Sequence, residues 1–289
     1  MRVLLLFLLI AMGIFAAWWF IQKPSHNRQW ADDVSQMLHA DVDGDRVVLN
    51  NVRNFEWHTD TDYTPSWETR EYDLSQLQTA DLVLSYWMGP KIAHTLVSFG
   101  FADGQYLTFS LEIRKEKDEK FSAWKGFFRQ YEAILVAADE ADIVRTRSNA
   151  RGEDVYLYRL NIEADQLKAL FLAYVEHANK LEKEPEFYNT LTSNCTTVVF
   201  DIAKQIAPDL PLDYRLLLSG YFAEYAHEQG GLIEGFSYAE LQEKGYIVPR
   251  AQAMQPGENF SEVIRQGVPG MLQGVQLKAF SSHQPSVGR

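Results

Sequence analysis

Residues 93–117, AHTLVSFGFADGQYLTFSLEIRKEK, decide the fold. Two apolar runs, 94–101 and 106–114, flank Asp103-Gly104. An Asp-Gly pair between such runs predicts an antiparallel β-hairpin. Side chains alternate along a strand, so Ser110, Glu112 and Arg114 share one face of the second strand. The hairpin would lay that face beside the strand carrying His94. His94 opens its strand just after Gly89-Pro90. A titratable group at the edge of a buried strand carries a desolvation cost. It therefore has either a chemical role or a hydrogen-bonded place in the core.

A second stretch, 187–202 (FYNTLTSNCTTVVFDI), holds the single cysteine of the chain. Cys195, Val198, Val199, Ile202 and Ile206 form a helical stripe that starts at the cysteine. Asn194, with Ser193 behind it, is a good N-cap residue. Cys195 then sits in the first helical turn, where the helix dipole favours a thiolate. The competing reading is a small buried core residue. Two considerations weaken that reading: the electropositive position, and the liability of a free thiol in an oxidising compartment.

A thiol nucleophile needs a base. Of the seven histidines, His26 lies beside the N-terminal apolar run and His283 in the polar tail. His177 and His227 are expected to face solvent, and His39 to sit at a helix-to-loop passage. His58 follows a strand in a polar segment and remains open. His94 is the preferred base. A third group usually fixes the imidazole; Glu112 is the choice and Ser110 the reserve. Glu112 could equally be an exposed carboxylate paired with Arg114 or Lys115.

The rest of the chain surrounds these two stretches. Residues 45–57 read as a strand or hairpin turning at Asn50-Asn51, and 60–70 as a polar, aromatic loop. Residues 74–87 read as a helix with a strand-like end, 131–138 and 154–160 as strands, and 166–181 as an amphipathic helix. Strands and helices without regular alternation indicate α+β. Residues 3–21 are an unbroken apolar run, long enough to cross most of a roughly 30 Å hydrocarbon core. Ala16-Ala17 would suit signal cleavage, but the run continues through Trp18 and Trp19, which favours a retained anchor. The expected organisation is an anchor over 1–22, a catalytic domain over 28–210, an extension over 211–280 packing on it, and a flexible tail over 281–289. The bulk of the chain is expected outside the cytoplasm.

Composition narrows the function. In 289 residues, 39 acidic side chains outnumber 27 basic ones, a net charge of −12. That balance excludes the basic footprint of a nucleic-acid binder. One cysteine makes neither an internal disulfide nor a Cys-rich zinc site. There is no G-x-S-x-G elbow, no H-E-x-x-H and no phosphate loop, and the glycine of 41–45 (DVDGD) is misplaced for a calcium loop. No cofactor is called for.

The segments 93–117 and 187–202, with WETREYDL (67–74) and GFFRQYEAILVAADEADIV (126–144), together resemble the Lnb N-terminal periplasmic domain family. The resemblance runs from about residue 28 to about 206. It implies a circularly permuted papain-like fold, similar to NlpC-type hydrolases and lecithin retinol acyltransferase, in which the histidine strand precedes the cysteine helix. It also implies a Cys195–His94 active site that transfers an acyl chain to the amino terminus of bacterial lipoproteins. The expected protein is a single-pass inner-membrane acyltransferase facing the periplasm. Its expected partners are a phospholipid acyl donor and a lipoprotein amino-terminal acceptor. Aromatic residues between Trp57 and Trp67 would line an acyl channel. The alternatives are a cell-envelope cysteine peptidase or amidase using the same pair, and a non-enzymatic binding module with Cys195 buried and inert.

Overall fold

The computed structural model describes residues 2–271, apart from 120, 121, 123, 124, 127 and 191; the tail expected over 281–289 lies outside the described residues. The apolar run forms α1 (Arg2–Ile21), whose window Leu4–Ile21 is long and apolar enough to cross a membrane and is buried nowhere against the rest of the chain.

The strands follow as β1 (His39–Asp43), β2 (Arg46–Arg53), β3 (Glu56–Trp57), β4 (Tyr63–Thr64), β5 (Trp67–Asp73) and β6 (Leu77–Tyr86). Next come β7 (Ala93–Phe101), β8 (Tyr106–Arg114), β9 (Glu132–Ala138) and β10 (Asp154–Arg159). One eight-stranded sheet has the order β1-β2-β9-β8-β7-β6-β10, with β5 added on β2, while β3 and β4 pair separately. The expected hairpin is β7–β8, antiparallel with Leu96 opposite Ser110 and Phe99 opposite Leu107. Glycine at 104 has φ +86°, the left-handed conformation that this tight reversal uses.

Both sheet faces are covered. Between the strands and after them lie α2 (Glu140–Arg145), α3 (Ala164–Lys183), α4 (Cys195–Ile206) and α5 (Phe222–Glu228). They are followed by α6 (Tyr238–Gly245), α7 (Val248–Ala253) and α8 (Phe260–Arg265). Leu82, Leu84, Phe99 and Phe109 meet Phe171 and Tyr174 of α3 and Val198 of α4. Val83, Leu96, Ile134 and Val136 meet Ile143 of α2, Ile247 and Ile264. The architecture is mixed α+β with one N-terminal apolar helix.

A buried charge network fastens the C-terminal helices to the sheet. Arg265 of α8 donates to Asp81 of β6 (2.7 Å) and to Glu140 of α2 (2.6 and 2.7 Å), and Arg159 of β10 donates to Asp81 (2.6 Å). Burial disfavours the Arg265 charge, but the two carboxylates outweigh it and raise its pKa.

Several sequence expectations are corrected. Residues 77–86 are a strand, not a helix: both faces of β6 are covered, so its apolar residues run on without the alternation that would mark a strand. Asn50-Asn51 is not a turn. It lies inside β2, where Asn51 adopts φ 67° and the register against β5 slips between Leu49 and Val52, as in a β-bulge. The reversal comes earlier, at Gly44 with φ 61°. His39 begins β1 rather than ending a helix. His177 is half-buried, its Nε2 has no hydrogen-bond partner, and burial lowers its pKa.

Candidate active site

Cys195 is the first residue of α4, and its position is built locally. The Asn194 side chain accepts from the N–H groups of Thr196 (2.8 Å) and Thr197 (2.9 Å), and Thr197 Oγ1 accepts from the Asn194 N–H (2.8 Å). This is a reciprocal capping box. The Asn194 amide also donates to the Thr190 carbonyl (2.8 Å), fixing the entering loop. Thr196 Oγ1 and Thr95 Oγ1 hydrogen-bond at 2.8 Å, tying the helix N-terminus to β7 one residue beyond His94. That tie brings the thiol and the imidazole close enough for each to shift the other's ionisation.

The other side of the imidazole is held by β8. His94 Nε2 lies 2.7 Å from Ser110 Oγ and 3.2 Å from Glu112 Oε1. Ser110 donates its only hydroxyl proton to Glu112 Oε1 (2.7 Å), so it accepts from His94 Nε2–H. The network thereby assigns the proton to Nε2 and leaves Nδ1 for the thiol. Glu112 is held in turn by Arg147 Nη2 (2.7 Å) from the π-helical turn Thr146–Ala150 that follows α2. Arg147 also lies 3.6 Å from Glu153, which accepts from Ser85 Oγ. Ser110 and Glu112 therefore both belong to the cluster, and the alternative pairing of Glu112 with Arg114 or Lys115 is not formed. Arg114 instead turns to the carbonyls of Val34 and Ser35, and Lys115 to Asp33.

The charges favour a thiolate–imidazolium pair. Burial pushes the Cys195 thiol up, but the His94 cation and hydrogen bonds from His94, the Thr95 backbone and Thr196 outweigh it, and the net direction is down. Burial and the Arg147 charge depress His94, yet Glu112 and the Cys195 thiolate raise it to about 9. Burial also opposes ionisation of Glu112, but His94, Arg147 and Ser110 hold the carboxyl well below its ordinary range. Tyr188, which sequence reasoning missed, lines the same cavity and lies close enough to Cys195 for the two to interact. Burial first, then the negative charges of Cys195 and Glu112, keep its phenol neutral and able to donate. Arg147, Glu153 and Tyr188 carry no local sequence signal; folding brings them in from other elements.

Cys195, His94 and Glu112 open into a cavity of about 480 Å³. Its lining includes the apolar Met88, Ile92 and Leu217 and the charged Arg147, Arg151 and Glu153. The aromatic residues expected to line an acyl channel are elsewhere. Phe55 stacks on Tyr63 and meets Trp67 edge-on (both 5.3 Å), and Trp57 lies 4.5 Å from Tyr63 and donates to Asp142 (2.8 Å). They satisfy one another and do not line the Cys195 cavity. His58 borders a separate small cavity beside Trp57 and bonds to Thr64 (3.2 Å). Among the described residues, no group of three or more His, Cys, Asp or Glu side chains converges as metal ligands would.

Fold and site together define an α+β domain on an apolar helix, with a thiol, an imidazole and a carboxylate aligned at the head of a cavity. The chain belongs to the Lnb N-terminal periplasmic domain family, whose model matches residues 63–220 and so encloses every member of the cluster. It is a membrane-associated periplasmic protein, and α1 is compatible with a single span. Among curated proteins and among solved structures, nothing matches the chain.

Proposed function

We propose that this protein is a thiol acyltransferase of the inner membrane, of the kind that N-acylates lipoproteins, on a circularly permuted papain-like frame. The observation that carries the reading is the Cys195–His94 pair, its imidazole anchored by Ser110 and Glu112, facing a cavity whose lining includes Met88, Ile92 and Leu217. The Cys195 thiolate attacks the ester carbonyl of a phospholipid. The backbone N–H at the head of α4 and the Tyr188 hydroxyl would receive the oxyanion. Collapse breaks the ester C–O bond, and the leaving lysophospholipid oxygen takes the proton from the His94 imidazolium. A thioester on Cys195 and neutral His94 remain. The amine of the acceptor then attacks the thioester, His94 takes the amine proton, and the thiolate leaves as the amide forms.

The same pair would serve a peptidase or amidase, so the test reads the acyl group. Purified full-length protein is incubated with phospholipid vesicles, and its intact mass is measured beside Cys195→Ala and His94→Ala. A hydroxylamine-labile fatty-acyl adduct, absent from both variants, is the expected result. A thiol that alkylates rapidly in a His94-dependent manner but gains no adduct would redirect the reading to amide substrates. An inert thiol would remove the enzymatic reading altogether.

A further inference from the structure

Outside α1, the described residues include seven exposed large apolar side chains; three of them line one opening, and three more stand within five residues of its lining in sequence. Val42, on the β1–β2 hairpin, is the exception. Trp87, Met88 and Leu217 line the Cys195 cavity, with Met88 55% and Leu217 50% exposed. Leu212 and Tyr214, 83% and 65% exposed, precede Leu217 in the same segment. Gly220 seats that segment beside Met88: its N–H donates to the Lys91 carbonyl at 3.0 Å, and a Cβ there would lie 2.2 Å from the Pro90 oxygen. Phe128 stands two residues beyond Gly126, another residue of the cavity wall.

The same opening lies against the membrane helix. The Phe128 ring meets Phe15 of α1 edge-on at 6.3 Å, and the Arg129 guanidinium lies 4.6 Å over the Trp19 ring. Four residues beyond the end of α1, the Ser25 N–H donates to Glu132 at the start of β9 (3.1 Å). Arg28 then pairs with Glu116 (2.9 Å) and Glu132 (2.8 Å). Four residues span at most roughly 14 Å, so this tether holds the domain close to the membrane surface. It is attached where β8 ends and β9 begins, the end of the sheet that carries Glu112 and His94. Exposed Lys91 and the half-buried Arg129 add positive charge to the rim of an otherwise acidic chain.

We propose that this rim seats on the periplasmic face of the bilayer that α1 enters, so that the Cys195 cavity opens directly onto lipid. Apolar side chains flanked by cations are what an interfacial lipid contact requires. The contact is continuous with the lipid-facing surface of α1 through Phe15 and Phe128. The inference goes beyond acyl transfer and does not depend on it.

The test uses the full chain with Cys195→Ala, reconstituted in phosphatidylethanolamine–phosphatidylglycerol vesicles. A single new cysteine is introduced as Met88→Cys, Leu212→Cys or Leu217→Cys. Gln105→Cys, exposed on the β7–β8 turn at the opposite end of the sheet, is the control. Each is labelled with an environment-sensitive nitrobenzoxadiazole dye, and only variants whose melting matches the parent are compared. Shallow spin-labelled lipids are expected to quench the dye at 212 and 217 at least twofold and to leave it bright at 105. Equal quenching at all positions would overturn the proposal. So would labels at 212 and 217 that stay as bright as the label at 105.

Discussion

Replacing Glu112 by Gln keeps the shape of the cluster and removes one charge. The lift of His94 from 6.5 to about 9 corresponds to about 3 kcal/mol in favour of the imidazolium. That is a net figure, because burial and Arg147 act against it. At the 3.2 Å separation from Glu112, with an effective dielectric constant near 20, the Coulomb attraction alone is about 5 kcal/mol. The attraction exceeds the net lift, so without the carboxylate the balance reverses and His94 titrates near or below its ordinary range. The thiol then loses its cation and its pKa rises. Cys195 is the single cysteine of the chain, so iodoacetamide incorporation between pH 5 and 10 reads it alone. In the native protein the rate should rise as pH passes the lowered thiol pKa and stay high above it, because loss of the His94 proton near 9 leaves the thiolate in place. In Glu112→Gln the rise should move up by more than one pH unit, with at least a tenfold slower reaction at pH 7. Ser110→Ala removes orientation but no charge, and should move the midpoint less. An unchanged profile in Glu112→Gln would refute the reasoning and leave Glu112 a partner of Arg147 alone.

Three further outcomes follow from the geometry. Arg265→Leu leaves Asp81 and Glu140 buried with one cation fewer, and should cost about 3–5 kcal/mol, read as a lower urea midpoint at unchanged slope. A loss below 1 kcal/mol would mean that the network does not fasten α8. Asn194→Ala deletes the cap of α4 and should cost about 1 kcal/mol. It should also slow Cys195 alkylation near neutrality, because the cap fixes the turn that presents the thiol. Trp57→Phe breaks the bond to Asp142 but should leave alkylation and acyl-adduct formation unchanged, since that cluster stands apart from the cavity; a lost adduct would restore the aromatic channel.

The candidate site was legible where its signals are local. The Asp103-Gly104 turn and the strand alternation put Glu112 and Ser110 beside His94, and the Asn194 cap put Cys195 in a first turn. These rules act over a few residues and tertiary packing did not override them. Strand β6 was misread because a strand buried on both faces has lost the contrast that periodicity detects. The choice between Glu112 and Ser110 could not be made from spacing. Both project from one face of β8, and the structure uses them in series, Ser110 bridging His94 to Glu112. Arg147 is 35 residues from Glu112 and sits in a π-helical turn that no simple pattern marks. Tyr188 stands in the loop before the cap, where its side chain depends on the path of the loop rather than on a helical or strand period.

The position of the cavity bears on which acceptor wins in the proposed reaction. A thioester at Cys195 is open to water and to amines alike, and the imidazole assists both. Discrimination then depends on what reaches the carbonyl. The lining combines Met88, Ile92 and Leu217, which hold no water by hydrogen bonding, with Arg147, Arg151 and Glu153. With the rim seated on lipid, acyl chains would cover the apolar lining, and the charged lining would meet the acceptor. An amine held at the membrane by its own lipid arrives there at high local concentration, whereas bulk water must pass the guanidinium groups. The membrane would thus supply the donor, shield the intermediate and present the acceptor, and a soluble form of the same Cys195–His94 pair would lose the last two of these.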